Sequence, residues 1–137
     1  MMNDTVDYLL NYAFDQGISY ELTTELSLDA PSASRPKRRK MIINLNLSNK
    51  KELPLQIAHE IGHILNQDDG VLYFSTIKNH DLIEADATKT GIKILADYYF
   101  NEMDQSEWNV DNFMNYYCIP SYLRDWCYSL LTSDCPK

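Results

Sequence analysis

His59, Glu60 and His63 stand together in "QIAHEIGHILNQDDG", residues 56–70, as an H-E-x-x-H motif. Helix positions i and i+4 lie on one face, about one turn apart. Imidazoles at 59 and 63 can therefore converge on one point, which suits a zinc ion with tetrahedral nitrogen ligands. Glu60 flanks the same face, where a carboxylate can take a proton from a water that the metal has made acidic. Gly62 leaves one side of the helix open to close approach by another backbone. The competing account is a buried helix with satisfied core histidines. With three His in 137 residues, a shuffled chain carries this motif only roughly a few times in a thousand, so the metal reading is preferred.

A catalytic zinc usually takes three protein ligands and leaves a fourth position to water. Spacing leaves three candidates for the third ligand. Asp69 lies six residues after His63, as in the long metzincin motif, but Asn66 stands where that motif has a turn glycine. His80 could reach back from the connecting segment. Glu84, 21 residues after His63, falls on the first turn of the next long helix, the thermolysin-like solution. Asp81, three residues ahead of Glu84, offers the competing role of a capping box.

These groups need elements to hold them. Residues 4–16 read as an amphipathic helix with Val6, Leu9, Leu10, Ala13 and Phe14 inward and Gly17 as its cap. Ile18 to Leu28 alternate with period two, and so do Met41 to Leu47. They are expected to be strands paired as a hairpin across a long excursion. The metal helix should begin near Leu53, with Pro54 in its first turn. Its apolar residues cover most of its circumference, so it should be central. "VLYFSTI", 71–77, is β-prone or irregular. A helix over about 82–101 should turn Ala85, Ile92, Leu95, Ala96 and Tyr99 inward, and Gly91 is a weak point in it. Val110, Phe113, Met114 and Tyr117 mark another helix. Pro120 opens the last one, with Leu123, Trp126, Cys127, Leu130 and Leu131 on one stripe. The expected class is α+β: one domain, 1–137, with an N-terminal helix, a short antiparallel sheet, the motif helix, a second ligand-bearing helix and C-terminal helices.

Composition narrows the function. A net charge of -8 argues against binding phosphate backbones. Only "RPKRRK", 35–40, is basic, and it reads as a solvated loop tip, with docking of an acidic partner as the sharper alternative. Cys118, Cys127 and Cys135 form no disulfide framework or C-x-x-C site, which suits reduced thiols in a cytosol. No signal peptide or membrane-spanning run is visible, so a cytoplasmic protein is expected. The segment 109–131 superficially suggests helix-turn-helix. Its second helix offers only Arg124, a poor groove reader.

"IAHEIGH" followed by "EAD" opening the next helix resembles the ImmA/IrrE family of zinc metallopeptidases, over roughly residues 18–100. Ile57–Ala58, His59, Glu60, Gly62 and His63 match its first motif, and Glu84–Ala85 its second. Asp86 stands where many relatives have Asn, and "NQDD" where many have a histidine. The resemblance implies a small zincin-like fold and a single zinc ion held by His59, His63 and Glu84, with Glu60 as general base and acid. It also implies a protein substrate, a helix-turn-helix repressor of a phage or mobile element. Substrate would add as a strand to a sheet edge, for which Met41–Leu47 is the candidate. His80 and Tyr73 are candidate contacts to the transition state. The alternative function is a non-proteolytic, zinc-stabilised regulator acting through protein–protein contacts, which would require a fully protein-ligated zinc.

Overall fold

In a computed structural model, residues 2–67 and 77–132 are described. The architecture is α+β, with five helices and a three-stranded sheet among these residues. The first helix, α1, runs Met2–Asp15. Gly17 closes it at a φ of 74°, a conformation that suits glycine because it has no Cβ to clash. Ile18 N–H donates back to the Ala13 carbonyl. Leu9 and Ala13 enter the core, but Phe14 is 75% exposed, one place past the buried stripe.

The sheet departs from the expected hairpin. Its centre is β3 (Lys40–Asn44). The first strand, β1 (Ser19–Thr23), pairs with β3 in parallel, from Ser19 opposite Lys40 to Thr23 opposite Asn44. A short strand, β2 (Ala33–Arg35), pairs antiparallel on the other side, with Arg35 opposite Lys40. The physical reason lies in the basic run. Pro36–Arg38 forms a 3-10 turn, and Arg39 adopts the left-handed conformation at φ 49°. That turn joins β2 to β3, so β1 must take the remaining side of β3. "RPKRRK" is thus a solvated tip, as expected, ordered as the turn of a β2–β3 hairpin, and the sheet is mixed rather than antiparallel. The buried face expected along Ile18–Leu28 ends early. Ile18 is buried, but Tyr20 and Leu22 on the edge strand are exposed.

Residues 24–32 carry the chain from one edge of the sheet to the other. Asn44, fully buried at the end of β3, holds them there. Its amide donates to the carbonyls of Ala30 (2.8 Å) and Ser27 (3.2 Å), and its Oδ1 accepts from Asn46 N–H at 2.8 Å. Its backbone N–H donates to Ser32 Oγ at 2.9 Å. Asn44→Ala would strand several buried polar groups at once. It should cost about 3 kcal/mol, read as a lower urea midpoint with an unchanged slope.

The motif helix, α2 (Leu53–Gln67), is central as expected. Ile57, Ala58, Ile61 and Ile64 are fully buried among residues of α1, β3 and α3. The next helix, α3 (Ile77–Phe100), is longer than its apolar pattern suggests. It starts five residues before Leu82, so Glu84 lies about two turns inside it and Asp81 cannot cap its start. The capping-box role for Glu84 is therefore excluded. Ala85 is exposed, and Ala87 is buried in its stead. The C-terminal helices α4 (Val110–Tyr116) and α5 (Arg124–Thr132) pack through Phe113, Tyr117, Leu123 and Cys127. Tyr117 stacks edge-on with Phe113 and Tyr99, and its hydroxyl meets Thr5 on α1 at 3.0 Å. Arg124 is held by Asp111 across the two helices at 2.9 Å. Burial pushes the Cys127 thiol up to about 11, so it is a packing residue with little thiolate at neutral pH. No helix among the described residues is long and apolar enough to cross a membrane.

Candidate metal centre

The site is made by an unusually close crossing of α2 and α3. A Cβ placed on Gly62 would lie 2.2 Å from the Ala87 carbonyl oxygen. One placed on Gly91 would lie 2.7 Å from both carbonyl atoms of Ala58. The contact is reciprocal: Ala58 and Gly62 on one helix meet Ala87 and Gly91 on the other, each pair four residues apart and so on one face. The expected clearance at Gly62 is present. The weak point at Gly91 is its counterpart, a packing requirement rather than a defect. Thr90 Oγ1 donates to Asn66 Oδ1 at 2.9 Å and bridges the same two helices.

That crossing brings Glu84 onto the histidines. Glu84 Oε1 lies 2.8 Å from His59 Nε2 and 3.2 Å from His63 Nε2. One ligand atom from each of the three residues lies within 4.8 Å of the others, so the group could hold a metal ion. A tetrahedral zinc with ligands at about 2.0–2.1 Å needs donor separations of roughly 3.3 Å. Small rotations would reach that. The two imidazoles stand nearly perpendicular, at 84°, each with its Nε2 facing the same Glu84 oxygen. The His63 side chain is 12% exposed and that of Glu84 42%, so the group is walled on the histidine side and open beside the carboxylate.

The hydrogen bonds behind the site argue for a cation in it. Thr88 Oγ1 donates to the Glu84 carbonyl at 3.1 Å, which uses its only proton. Thr88 must then accept from His59 Nδ1–H, 2.9 Å away. A neutral His59 so oriented turns a lone pair at Nε2 towards a carboxylate oxygen. Two acceptors at 2.8 Å need a proton or a metal between them. Fixing the tautomer through the far ring nitrogen is what outer residues do around metal-ligating histidines. Thr88→Val, which keeps the shape and removes the acceptor, should leave the fold intact. It should weaken metal binding by about 10–100-fold, measured by competition with a chromogenic chelator.

Glu60 lies beside the group, 7% exposed. Burial pushes its carboxyl up from the ordinary value, while Ser34, donating from β2, and the nearby imidazoles pull it down. For Glu84 burial also pushes up, but the electrostatic pull of the His63 and His59 imidazoles outweighs it and holds the carboxyl below its ordinary value. The two carboxylates thus diverge, one towards proton exchange and the other towards a fixed negative charge. That separation is typical of paired acid–base and ligand roles.

The structure brings together His59, Glu60, His63 and Glu84 from the sequence-based set. Asp69 and Tyr73 lie outside the described residues. His80 belongs to the first turn of α3, and its side chain is likewise outside them. Three contributors escaped the sequence reading: Thr88, Ser34 and Gly91. Thr88 was findable, four residues after Glu84 and hence on its face. Gly91 was findable through the matched Ala-x-x-x-Gly pairs at 58–62 and 87–91. Ser34 carried no signal, because a three-residue strand has no period to read. Comparison with protein-family models, curated proteins and solved structures finds no match to this chain.

Proposed function

We propose that the chain is a zinc-dependent endopeptidase with a zincin-like fold, of the type that the ImmA/IrrE resemblance implies. The observation that carries this is the seating of the Glu84 carboxylate on the Nε2 atoms of both motif histidines, with the buried Glu60 alongside. Three donors are the number that a catalytic zinc uses, and among the described residues no fourth His, Cys, Asp or Glu joins the group. The alternative, a zinc-stabilised, non-proteolytic regulator, would close its metal with four protein ligands.

A zinc ion there would supply a Lewis acid for the peptide carbonyl and lower the pKa of water. His59, His63 and Glu84 would hold it, and Thr88 would fix the His59 ring. Glu60 would take the proton of the attacking water and return it to the leaving amine. Its raised proton affinity suits both halves of that exchange.

Substrate would enter as an extended strand. The sequence pointed to Met41–Leu47 as the receiving edge, but β3 is flanked on both sides. The edge that touches the site is β2, through Ser34. Its outer side pairs with no strand among the described residues. A regulatory protein, such as a repressor of a phage or mobile element, is the substrate class that the resemblance suggests.

The test is digestion of a proteome-derived peptide library by zinc-loaded, chelated and re-zincated protein, read by mass spectrometry. Cleavage should vanish on chelation and return with zinc. No cleavage by the zinc-loaded chain, or cleavage indifferent to chelation, would overturn the reading.

A further inference from the structure

The basic run has no part in the mechanism above, yet it adjoins the site. Of the 12 Lys and Arg in a chain of net charge -8, five fall in residues 35–40. Arg39 is engaged, its guanidinium donating to the Gln16 carbonyl. Arg35, Lys37 and Arg38 are exposed and form no ion pair with any described residue. They begin one residue beyond Ser34, whose hydroxyl reaches Glu60. The 3-10 turn that bears Lys37 and Arg38 packs against α2, the helix of the motif. Positive charge that forms no ion pair among the described residues, at one end of a strand edge that pairs with no described strand, is an electrostatic selector on an otherwise acidic molecule.

We infer that the β2 edge and its basic turn dock an extended peptide segment bearing acidic side chains to one side of the bond presented to Glu60. Cleavage of the docked segment rests on the peptidase reading, but the docking preference itself can be measured without cleavage. A strand added along β2 would take its main-chain hydrogen bonds from the edge opposite β3. Its side chains near the turn would meet Arg35, Lys37 and Arg38. Such rim charges act mainly on partner choice and association rate, and their effect fades with salt. An acidic segment also suits the rest of the molecule, because at the turn the local positive charge offsets the repulsion that the net charge would exert on it.

The probe is a set of fluorescein-labelled, proline-free decapeptides matched in length, with Asp/Glu, Ser/Gln or Lys at the variable positions. Binding to zinc-loaded Glu60→Gln protein is read by anisotropy at low and moderate salt. The acidic peptide should bind about tenfold more tightly than the neutral one, with the gap narrowing as salt rises. The double substitution Arg35→Glu with Arg38→Glu should reverse the order, whereas Arg35→Lys with Arg38→Lys should preserve it. Equal binding of acidic and neutral peptides, or a preference that survives charge reversal, would overturn the inference. So would an oligo-dT 12-mer that binds as tightly as the acidic peptide and loses binding in the same variant, for the turn would then be a phosphate reader. Acidic preference without any cleavage by the wild-type chain would sink the peptidase reading and leave the docking preference standing. Cleavage of library peptides with no acidic enrichment would do the opposite.

Discussion

Glu60→Gln is expected to leave zinc uptake unchanged and to lower peptide cleavage by about 10²–10⁴-fold. The amide is isosteric with the carboxylate and can still accept from Ser34, so packing of the buried side chain survives. What it loses is the basic oxygen. Neither His59 nor His63 can replace it, because each is turned towards Glu84. The outcome separates proton transfer from metal retention in one substitution. Equal cleavage by Glu60→Gln and wild type would reassign the base. Simultaneous loss of zinc would mean that Glu60 helps to hold the metal.

Gly62→Ala has the largest expected effect on the scaffold, and its sign is diagnostic. Inside a helix, replacing glycine by alanine ordinarily stabilises by about 1 kcal/mol. Here the added methyl would sit 2.2 Å from the Ala87 carbonyl oxygen, well inside contact distance, and both partners are backbone. One helix must move by about 1 Å, because no side chain can swing aside. Overpacking of this kind costs about 3 kcal/mol or more. The movement also lifts Glu84, one turn before Ala87, away from the histidines. Thermal unfolding should therefore show a lower midpoint, and competition titration a weaker zinc site. Gly91→Ala should show both effects to a smaller degree, since its nearest contact is 2.7 Å. Stabilisation by either change would show that the helices are free to separate, and that the crossing does not position the site.

How much of this was legible in the residues depends on the range of the forces involved. The motif helix was legible because its histidines are four residues apart and its apolar stripe is continuous. Both are local facts. Glu84 was reachable as one of three candidates, but choosing it required knowing that α2 and α3 cross, which is a long-range fact. The matched glycine pairs encode that crossing, yet Gly62 alone reads as clearance for an unspecified backbone and Gly91 alone as a weak point in a helix. The strand pairing departs from the expected hairpin because alternation reveals which face a strand buries and nothing of its neighbour. The decisive element was β2, three residues long. It is specified by the turn after it, Pro36 to the left-handed Arg39, and by Asn44, whose buried amide holds the preceding crossover. Asn44 sits among apolar alternators where a polar residue suggests solvent, and only its hydrogen bonds reveal the opposite.

The peptidase proposal requires His59, His63 and Glu84 to form one zinc site. The most direct measurement is zinc titration of the metal-stripped wild-type chain beside Glu84→Ala and His63→Ala, by competition with a chromogenic chelator. Wild type should take up one zinc per chain, Glu84→Ala should bind it at least about 10²-fold more weakly, and His63→Ala should take up none. Failure of the wild type to bind zinc, or binding by Glu84→Ala as tight as wild type, would overturn the three-residue zinc site.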